Sequence, residues 1–456
     1  MFAPGPRFAR RLGSTMGLVV ATILLATALL ATTVPASSAV PVDRGAVLGS
    51  IAYAGHPDAV PGSFVVVLKD DRATVAATTD TTRLLAGRYG LDVRFTYTAA
   101  LRGMAVRGAT ERQARLLAAD PLVAQVAQDL TVGLASTEAS TEASTERSAD
   151  GPVELSAEVT ICPPSCPHVQ PRGFPPPSWS NIDRLDERSL PLDNLYAYPN
   201  TASSMRAYVI DSGIRVTHQD LGGRAVYGYD STGDPPGTSD CNGHGTHVAG
   251  VIGGTVFGVA KQVTLVGVRV LNCAGSGTWA GVIAGVDWVT QDSIARRQPS
   301  VAGLSLSGGY FQPLNNAVTN SIAYGNVHYS VAAGNSNANA CNFSPASTPH
   351  ATTVAAVDPS NDTRAWFSNF GTCVDLYAPG MNITSAWMTT DSSYNTISGT
   401  SHAVPHATGL AALWRHQFPT ATPYQVATAL TANATPNVII GNPGGTPNLL
   451  IHMIPV

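Results

Sequence analysis

Acyl transfer requires a nucleophilic hydroxyl, a neutral imidazole to take its proton, a carboxylate to hold the imidazole in one tautomer, and donors for the developing oxyanion. The sequence offers each of these in a short Gly-bearing segment. Tyr208-Val209-Ile210-Asp211-Ser212-Gly213 ends an apolar run in a carboxylate, and Asn242-Gly243-His244-Gly245-Thr246-His247 sets a histidine between glycines. Ala332-Ala333-Gly334-Asn335 ends a second apolar run in an amide, and Ser398-Gly399-Thr400-Ser401 puts a serine at the start of a helical pattern. Taken singly, an Asp after a strand is usually a turn former and a Ser before a helix an N-cap. Independent structural roles would not produce the whole constellation in the chain order Asp, His, Ser, so it reads as one site.

These segments need a scaffold that brings them together. Beyond residue 179 the chain alternates apolar strands (207–210, 265–271, 303–306, 327–332, 352–357) with helical patterns (from 244, then 278–295, 314–324, 401–416 and 422–432). That spacing predicts βαβ units: an α/β domain with a mostly parallel sheet and helices on both faces. Ligands of such sheets sit at the carboxyl ends of the strands, where the chemical segments fall. Residues 62–133 instead predict a small α+β unit, with strands at 63–69, 93–97, 104–106 and 122–127 and helices at 81–89 and 111–119. Between the two, Ser136-Thr137-Glu138 recurs as Ser140-Thr141-Glu142 and Ser144-Thr145-Glu146, and Cys162-Pro163-Pro164-Ser165-Cys166 and Pro175-Pro176-Pro177 follow. This is a solvated, Pro-rich linker that no helix can cross.

At the N-terminus, Arg7, Arg10 and Arg11 precede an apolar run over 16–31, then Pro35 and Ser37-Ser38-Ala39. The charged, apolar and small-residue regions are those of a secretory signal. The run is shorter than the roughly 20 residues that span a bilayer. The expected product is therefore exported, with no membrane association after signal removal. Across 456 residues, 26 basic and 30 acidic side chains give a net charge of −4 without a basic block, which argues against a nucleic-acid partner. With 44% hydrophobic residues the chain can bury a large core.

From about residue 177 onward the four segments and their order closely resemble the subtilisin-like serine proteases, in particular the secreted proteinase K-like branch. The resemblance implies a serine endopeptidase with Asp211 as orienting carboxylate, His244 as general base and Ser401 as nucleophile. Asn335 and the backbone N–H of Ser401 would form the oxyanion hole. Residues 62–133 resemble the family's inhibitor-type propeptide, which blocks the cleft until it is cleaved away. The implied organisation is a signal peptide (1–39), propeptide (40–134), linker (135–178) and catalytic domain (179–456). A lipase or esterase shares the triad logic, but no G-x-S-x-G elbow surrounds Ser401 and its triad order differs. An intact set also argues against a protease fold kept only for binding. His247 lies three residues after His244, yet no HExxH glutamate is present, so His247, His218 and His406 read as structural.

The same resemblance places the backbone of Gly275, Ser276 and Gly277, and of Ser305, Leu306 and Ser307, on either side of an extended protein or peptide substrate. Backbone recognition of this kind implies broad specificity. The pocket before the scissile bond lies between the 306–308 wall and Ala332, Ala333 and Gly334, with no acid to hold a basic side chain, which favours apolar and aromatic residues. Ser307 stands where the family usually carries Gly, and crowds that pocket against bulky aromatics. After the nucleophile, His402 replaces the usual Met and is expected to pack behind the serine as a neutral ring. Six cysteines allow 15 pairings. The resemblance suggests Cys241 with Cys273 and Cys341 with Cys373, leaving Cys162 and Cys166 to pair locally in the linker. It also implies structural calcium, held by Asp375 and the carbonyls of Pro349 and Ala351, with a second site at Asp183, Asp186 and Asp193 whose alternative is a solvated acidic turn. No catalytic cofactor is expected, and the likeness is to a monomer.

Overall fold

Strands covered on both faces read as continuous apolar runs, and the run around Val209 shows why. In Arg206–Asp211, Ala207 and Val209 enter one core while Tyr208 and Ile210 enter another, as the two-residue period of a strand dictates. The computed structural model describes residues 47–70, 73–134, 168–171, 180–235, 237 and 239–454. The expected signal region 1–39, the Ser-Thr-Glu repeats, and Cys162 and Cys166 lie outside the described residues. Among the described residues no helix is long and apolar enough to cross a membrane.

The N-terminal unit runs β1 (Ala59–Leu68), α1 (Val75–Tyr89), β2 (Asp92–Tyr97), β3 (Gly103–Arg107), α2 (Glu111–Ala118) and β4 (Val123–Leu134). Next come β5 (His168–Pro171), α3 (Ser180–Asp183), β6 (Leu195–Tyr198), β7 (Arg206–Asp211), β8 (Ala225–Asp230), α4 (His244–Gly253), β9 (Thr264–Arg269) and β10 (Ser276–Thr278). They are followed by α5 (Trp279–Arg296), β11 (Ser300–Leu304), β12 (Leu306–Gly309), α6 (Gln312–Gly325), β13 (Val327–Ala332), β14 (Phe343–Ser344) and β15 (Thr352–Val357). The chain closes with β16 (Leu376–Pro379), β17 (Ile383–Ala386), β18 (Tyr394–Ile397), α7 (Thr400–Gln417), α8 (Pro423–Asn433), β19 (Thr435–Pro436) and β20 (Leu449–Leu450).

The large sheet has the order β19-β20-β16-β15-β13-β11-β7-β9-β8 and is parallel except between β19 and β20. Helices α4, α7 and α8 cover one face through Val248, Ile252, Val404, Leu410 and Val426. Helices α5 and α6 cover the other through Val282, Ile283, Leu314 and Val318. This is the α/β arrangement that the spacing predicts. Strand order reverses at β7, which lies between β9 and β11, so a crevice opens at their carboxyl ends, beside Asp211 and the residues after Leu304.

The antiparallel sheet of the N-terminal unit is ordered β2-β3-β1-β4, and β4 continues it into the C-terminal part of the chain by pairing with both β10 and β12. One face packs on α1 and α2 through Phe64, Val66, Leu85, Met104 and Leu117. The other sets Val65, Tyr97, Ala127 and Leu130 against Trp279, Ala280, Ile283 and Phe311. At the joint the Asp129 carboxylate accepts the Ala280 backbone N–H (2.9 Å) at the positive end of α5.

Several elements depart from the sequence-based expectations. The strand expected over 303–306 breaks at Ser305: β11 ends at Leu304, and β12 turns out of the large sheet to meet β4 and β14. The strand expected over 122–127 runs on to Leu134, because the cleft strands give its second half hydrogen-bonding partners. Helix α1 begins at Val75, where the Thr74 hydroxyl accepts the Ala77 N–H (3.2 Å). Its Thr-rich first half carries no apolar stripe to announce it. Within the expected linker, residues 168–171 pair with β6.

Candidate active site

Each candidate residue sits where a strand or helix ends, held by local chemistry that the sequence dictates. Asp211 closes β7 fully buried, and its Oδ1 accepts the Ser212 N–H at 2.7 Å. His244 opens α4, and its Nδ1 lies 2.9 Å from both oxygens of Asp211. An Nδ1–H donated to that carboxylate leaves Nε2 as the lone-pair nitrogen. Nε2 is buried and has no hydrogen-bond partner.

The flanking glycines make this approach possible. A Cβ on Gly245 would stand 2.1 Å from the Gly213 carbonyl oxygen, and one on Gly243, where φ is +107°, would strike the Trp387 ring. The loop before His244 is also braced from beneath by Asp240, whose carboxylate accepts the backbone N–H groups of Asn242, Gly243 and Thr246 and the hydroxyls of Ser212 and Thr246. Ser212 in turn accepts the Gly245 N–H (3.0 Å), so the turns bearing Asp211 and His244 share one buried network. The sequence reading missed Asp240; its only signal was a carboxylate four residues ahead of the histidine.

Ser401 is the second residue of α7 and is almost fully buried. First-turn N–H groups have no partner within their own helix, which leaves the Ser401 N–H able to donate outward. Next to it, Thr400 donates both its N–H (2.9 Å) and its hydroxyl (2.8 Å) to Asn335 Oδ1. Because a backbone N–H demands an acceptor, these contacts fix the carboxamide's oxygen toward Thr400 and leave its NH2 as the outward end. The His402 ring lies 4.9 Å from that of His244 and 4.6 Å from that of His247. The start of α7 is thus packed against both His244 and Asn335.

The surrounding histidines are neutral. Burial pushes His402 well below its ordinary range, and holds His247 and His406 down to about 3. His247 Nε2 meets the Ile383 carbonyl oxygen (3.0 Å), and His406 sits between Asn181 (3.3 Å) and the His402 carbonyl (2.9 Å). His218 Nε2 meets the Ser393 carbonyl (2.8 Å).

The two expected cleft walls lie on either side of β4. Gly133 faces Ser276 on one side and Ser307 on the other, Val132 faces Gly277, and Leu134 faces Leu306. The Leu134 N–H donates to the Gly275 carbonyl (3.0 Å). Ala332 closes β13, the strand that pairs with β11, and Ala333 and Gly334 follow it, with Gly334 at φ +99°. Cys241 is bonded to Cys273, tying the loop ahead of His244 to the loop ahead of Gly275, and Cys341 is bonded to Cys373. Each bond closes a separation of 32 residues, a length associated with about 3 to 4 kcal/mol.

Of the expected calcium ligands, carboxylate oxygens of Asp183 and Asp193 gather within 4.8 Å together with one from Glu187, which the sequence reading passed over although it stands four residues after Asp183. Asp186 instead accepts the Ala197 N–H through Oδ2 (2.7 Å). Its Oδ1, and Glu187 Oε2, are buried without a hydrogen-bond partner. Burial, reinforced by the neighbouring carboxylates, pushes Asp186 and Glu187 up to about 7. Asp375 Oδ2 accepts the Thr353 N–H (2.7 Å), just past Ala351, and burial raises this carboxyl to about 6.

Comparison with known proteins agrees with this architecture. A family model described as the subtilase family matches residues 208–449. The extracellular serine proteinase of Thermus sp. (strain Rt41A) is 43% identical over 413 residues, covering 87% of this chain and 90% of that protein. Alkaline serine exoprotease A of Vibrio alginolyticus is 48% identical over 272 residues, 60% of this chain and 50% of that protein. The solved structure of a cold-adapted subtilisin-like serine proteinase matches with a TM-score of 0.58 and 48% identity, covering 61% of this chain and 99% of the other.

Proposed function

Since this chain belongs to the subtilase family and is a serine endopeptidase, we propose that Ser401 is its nucleophile, His244 its general base, Asp211 the carboxylate that orients the base, and Asn335 an oxyanion donor. The observation that carries this reading is the His244 ring, whose Nδ1 is bound to buried Asp211 while its Nε2 is left without a partner. The Ser401 hydroxyl attacks the scissile carbonyl carbon as its proton passes to His244 Nε2. The oxyanion is met by Asn335 Nδ2 and the Ser401 N–H. Collapse expels the amine, which takes the proton from His244, and leaves an acyl ester on Ser401. Water, deprotonated by the same nitrogen, then releases the acid.

In the same reading residues 1–39 direct export, 40–134 are an inhibitory propeptide, 135–178 a linker and 179–456 the catalytic domain. The propeptide assignment is supported by β4, which takes up the hydrogen bonds of both cleft strands. The enzyme releases this segment by cutting its own chain between about Ala135 and Trp179, and then acts as a secreted monomer on protein substrates of broad sequence, Gly275, Ser276, Gly277, Ser305, Leu306 and Ser307 binding their backbone. Structural calcium suits Asp183, Glu187 and Asp193, with Asp186 beside them, because a hard cation would neutralise crowded, buried carboxylate oxygens. A second calcium is assigned to Asp375 with the carbonyls of Pro349 and Ala351.

A fluorophosphonate probe is expected to label the peptide containing Ser401 and to leave Ser401→Ala unlabelled. An unlabelled, folded wild type would refute the assignment. Purified Ser401→Ala should also keep residues 40–134 attached while the wild type sheds them. Equal processing of both would show that cleavage is not autocatalytic.

A further inference from the structure

Building on the endopeptidase reading above, we infer that Ser307 restricts the residue before the scissile bond to small side chains. The position of that residue follows from strand register. β4 runs antiparallel to β12, with Gly133 opposite Ser307 and Leu134 opposite Leu306. A peptide bound in the same register places its next residue opposite Ser305, at the carboxyl end of β11. Strands β11 and β13 are parallel neighbours, with Leu304 beside Val331. Their extensions, Ser305-Leu306-Ser307 and Ala333-Gly334-Asn335, are therefore the two sides of the gap into which that residue's side chain must go. Asn335 lies at its inner end, joined to Thr400 beside the nucleophile.

Across this gap the Ser307 hydroxyl reaches Gly334. Its Oγ lies 3.0 Å from where a Cβ on Gly334 would stand, so the hydroxyl occupies space next to the one residue of the far wall that has no side chain. Neither wall can draw back. The Gly334 N–H donates to Thr400 Oγ1 (3.2 Å), and the Ala333 carbonyl is held by Asn369 Nδ2 (2.8 Å), whose Oδ1 also takes the N–H groups of Ser336 and Ala338. On the other side, Leu306 is fully buried, and the backbone of Gly308 lies so close to the Trp279 ring that a Cβ there would approach it to 2.6 Å. With both walls pinned, the hydroxyl subtracts from the pocket, and an aromatic ring loses the depth that an alanine methyl never uses. The residue following Leu134 in this chain is Ala135, a side chain of the admitted size.

The test compares two peptide anilides that differ only in Ala or Phe before the scissile bond, with enzyme concentration fixed by fluorophosphonate titration. The wild type is expected to show a higher kcat/KM for the Ala peptide by about tenfold or more, within the range that pocket size alone can supply. Ser307→Gly should shift the Phe-to-Ala ratio toward Phe by about tenfold or more, and Ser307→Ala, which keeps a Cβ, should fall between. Enzyme that titrates fully yet cleaves the Phe peptide at least as fast as the Ala peptide, or a ratio that does not move in either variant, overturns the role of Ser307. Folded enzyme that does not titrate overturns the endopeptidase reading, and this inference with it.

Discussion

Asp287 Oδ1, on α5 of the catalytic half, accepts the backbone N–H of Ala100, in the N-terminal unit, at 2.7 Å. The same carboxylate accepts the N–H groups of Ala99 (2.7 Å) and Thr98 (3.0 Å), so one charge gathers a whole turn of the partner unit. Hydrogen bonds to a charged group are worth about 1.5 to 3 kcal/mol. Asp287→Asn is therefore expected to weaken retention of the N-terminal unit after cleavage by roughly tenfold or more. The time from processing to full activity should shorten, and less N-terminal fragment should co-elute on gel filtration. An unchanged time course would show that the apolar face alone holds the joint.

Removing one oxyanion donor from a subtilisin lowers kcat by about 10²–10³-fold, and Asn335→Ala is expected to lie in that range. The loss should appear in kcat with little change in KM, because the donor acts on charge that develops only in the transition state. A drop confined to KM would mean that Asn335 only binds substrate.

Acid should unfold the protein through its buried imidazoles. Burial holds His247, His328 and His406 at about 3 and pushes His402 down likewise. In the unfolded chain such groups take a proton near 6.5. Their folded values are depressed, so between pH 6.5 and about 3 the unfolded state binds more protons, and stability falls as pH falls. The slope is at most about 1.4 kcal/mol per pH unit for each ring. Guanidinium unfolding of Ser401→Ala, a variant that cannot digest itself, should show a lower midpoint at pH 4.5 than at pH 7. His328→Gln, far from the site, should flatten the trend. A midpoint independent of pH would contradict this account.

Calcium should raise the melting temperature of Ser401→Ala, by mass action on the folded state. Asp193→Asn combined with Glu187→Gln is expected to remove much of the difference between millimolar calcium and chelator. If the double variant responds like its parent, the cluster is a solvated acidic turn.

His402 follows Ser401, the proposed nucleophile, at a position where relatives of this type usually carry Met. A thioether there oxidises to a polar sulfoxide beside the proposed oxyanion donors, a reaction that an imidazole does not undergo. His402→Met should therefore lose amidase activity faster in millimolar peroxide, with a gain of one oxygen in the peptide holding position 402. Equal half-lives would remove any protective role for His402.

The elements that hold the candidate residues were legible because a strand buried on both faces must be apolar throughout, as 207–210 and 327–332 are. The glycines around His244 were legible for a similar reason, since Gly245 leaves no choice of side chain. What escaped the sequence depends on partners distant in the chain. Nothing local in 131–134 says that β4 continues, because these residues are held by β10 and β12. Asp240, Glu187 and Asp287 look like any surface acid until the fold turns backbone N–H groups or other carboxylates toward them. Ser305 looked like strand interior because the break is made by what β12 pairs with.

The pairing of β4 along β10 and β12 also limits what the enzyme can digest. With β4 released, as proposed above, two strand edges are left open, and whatever takes its place must offer several residues of bare, extended backbone at once. Folded proteins keep such backbone engaged in their own ladders and helices, and release it only when a segment opens. Cleavage of a native protein is then governed by how often it opens, and scales with the population of its open form when reclosing is fast. The same holds for neighbouring copies of the mature enzyme, whose own conformational stability becomes their defence against one another in concentrated solution.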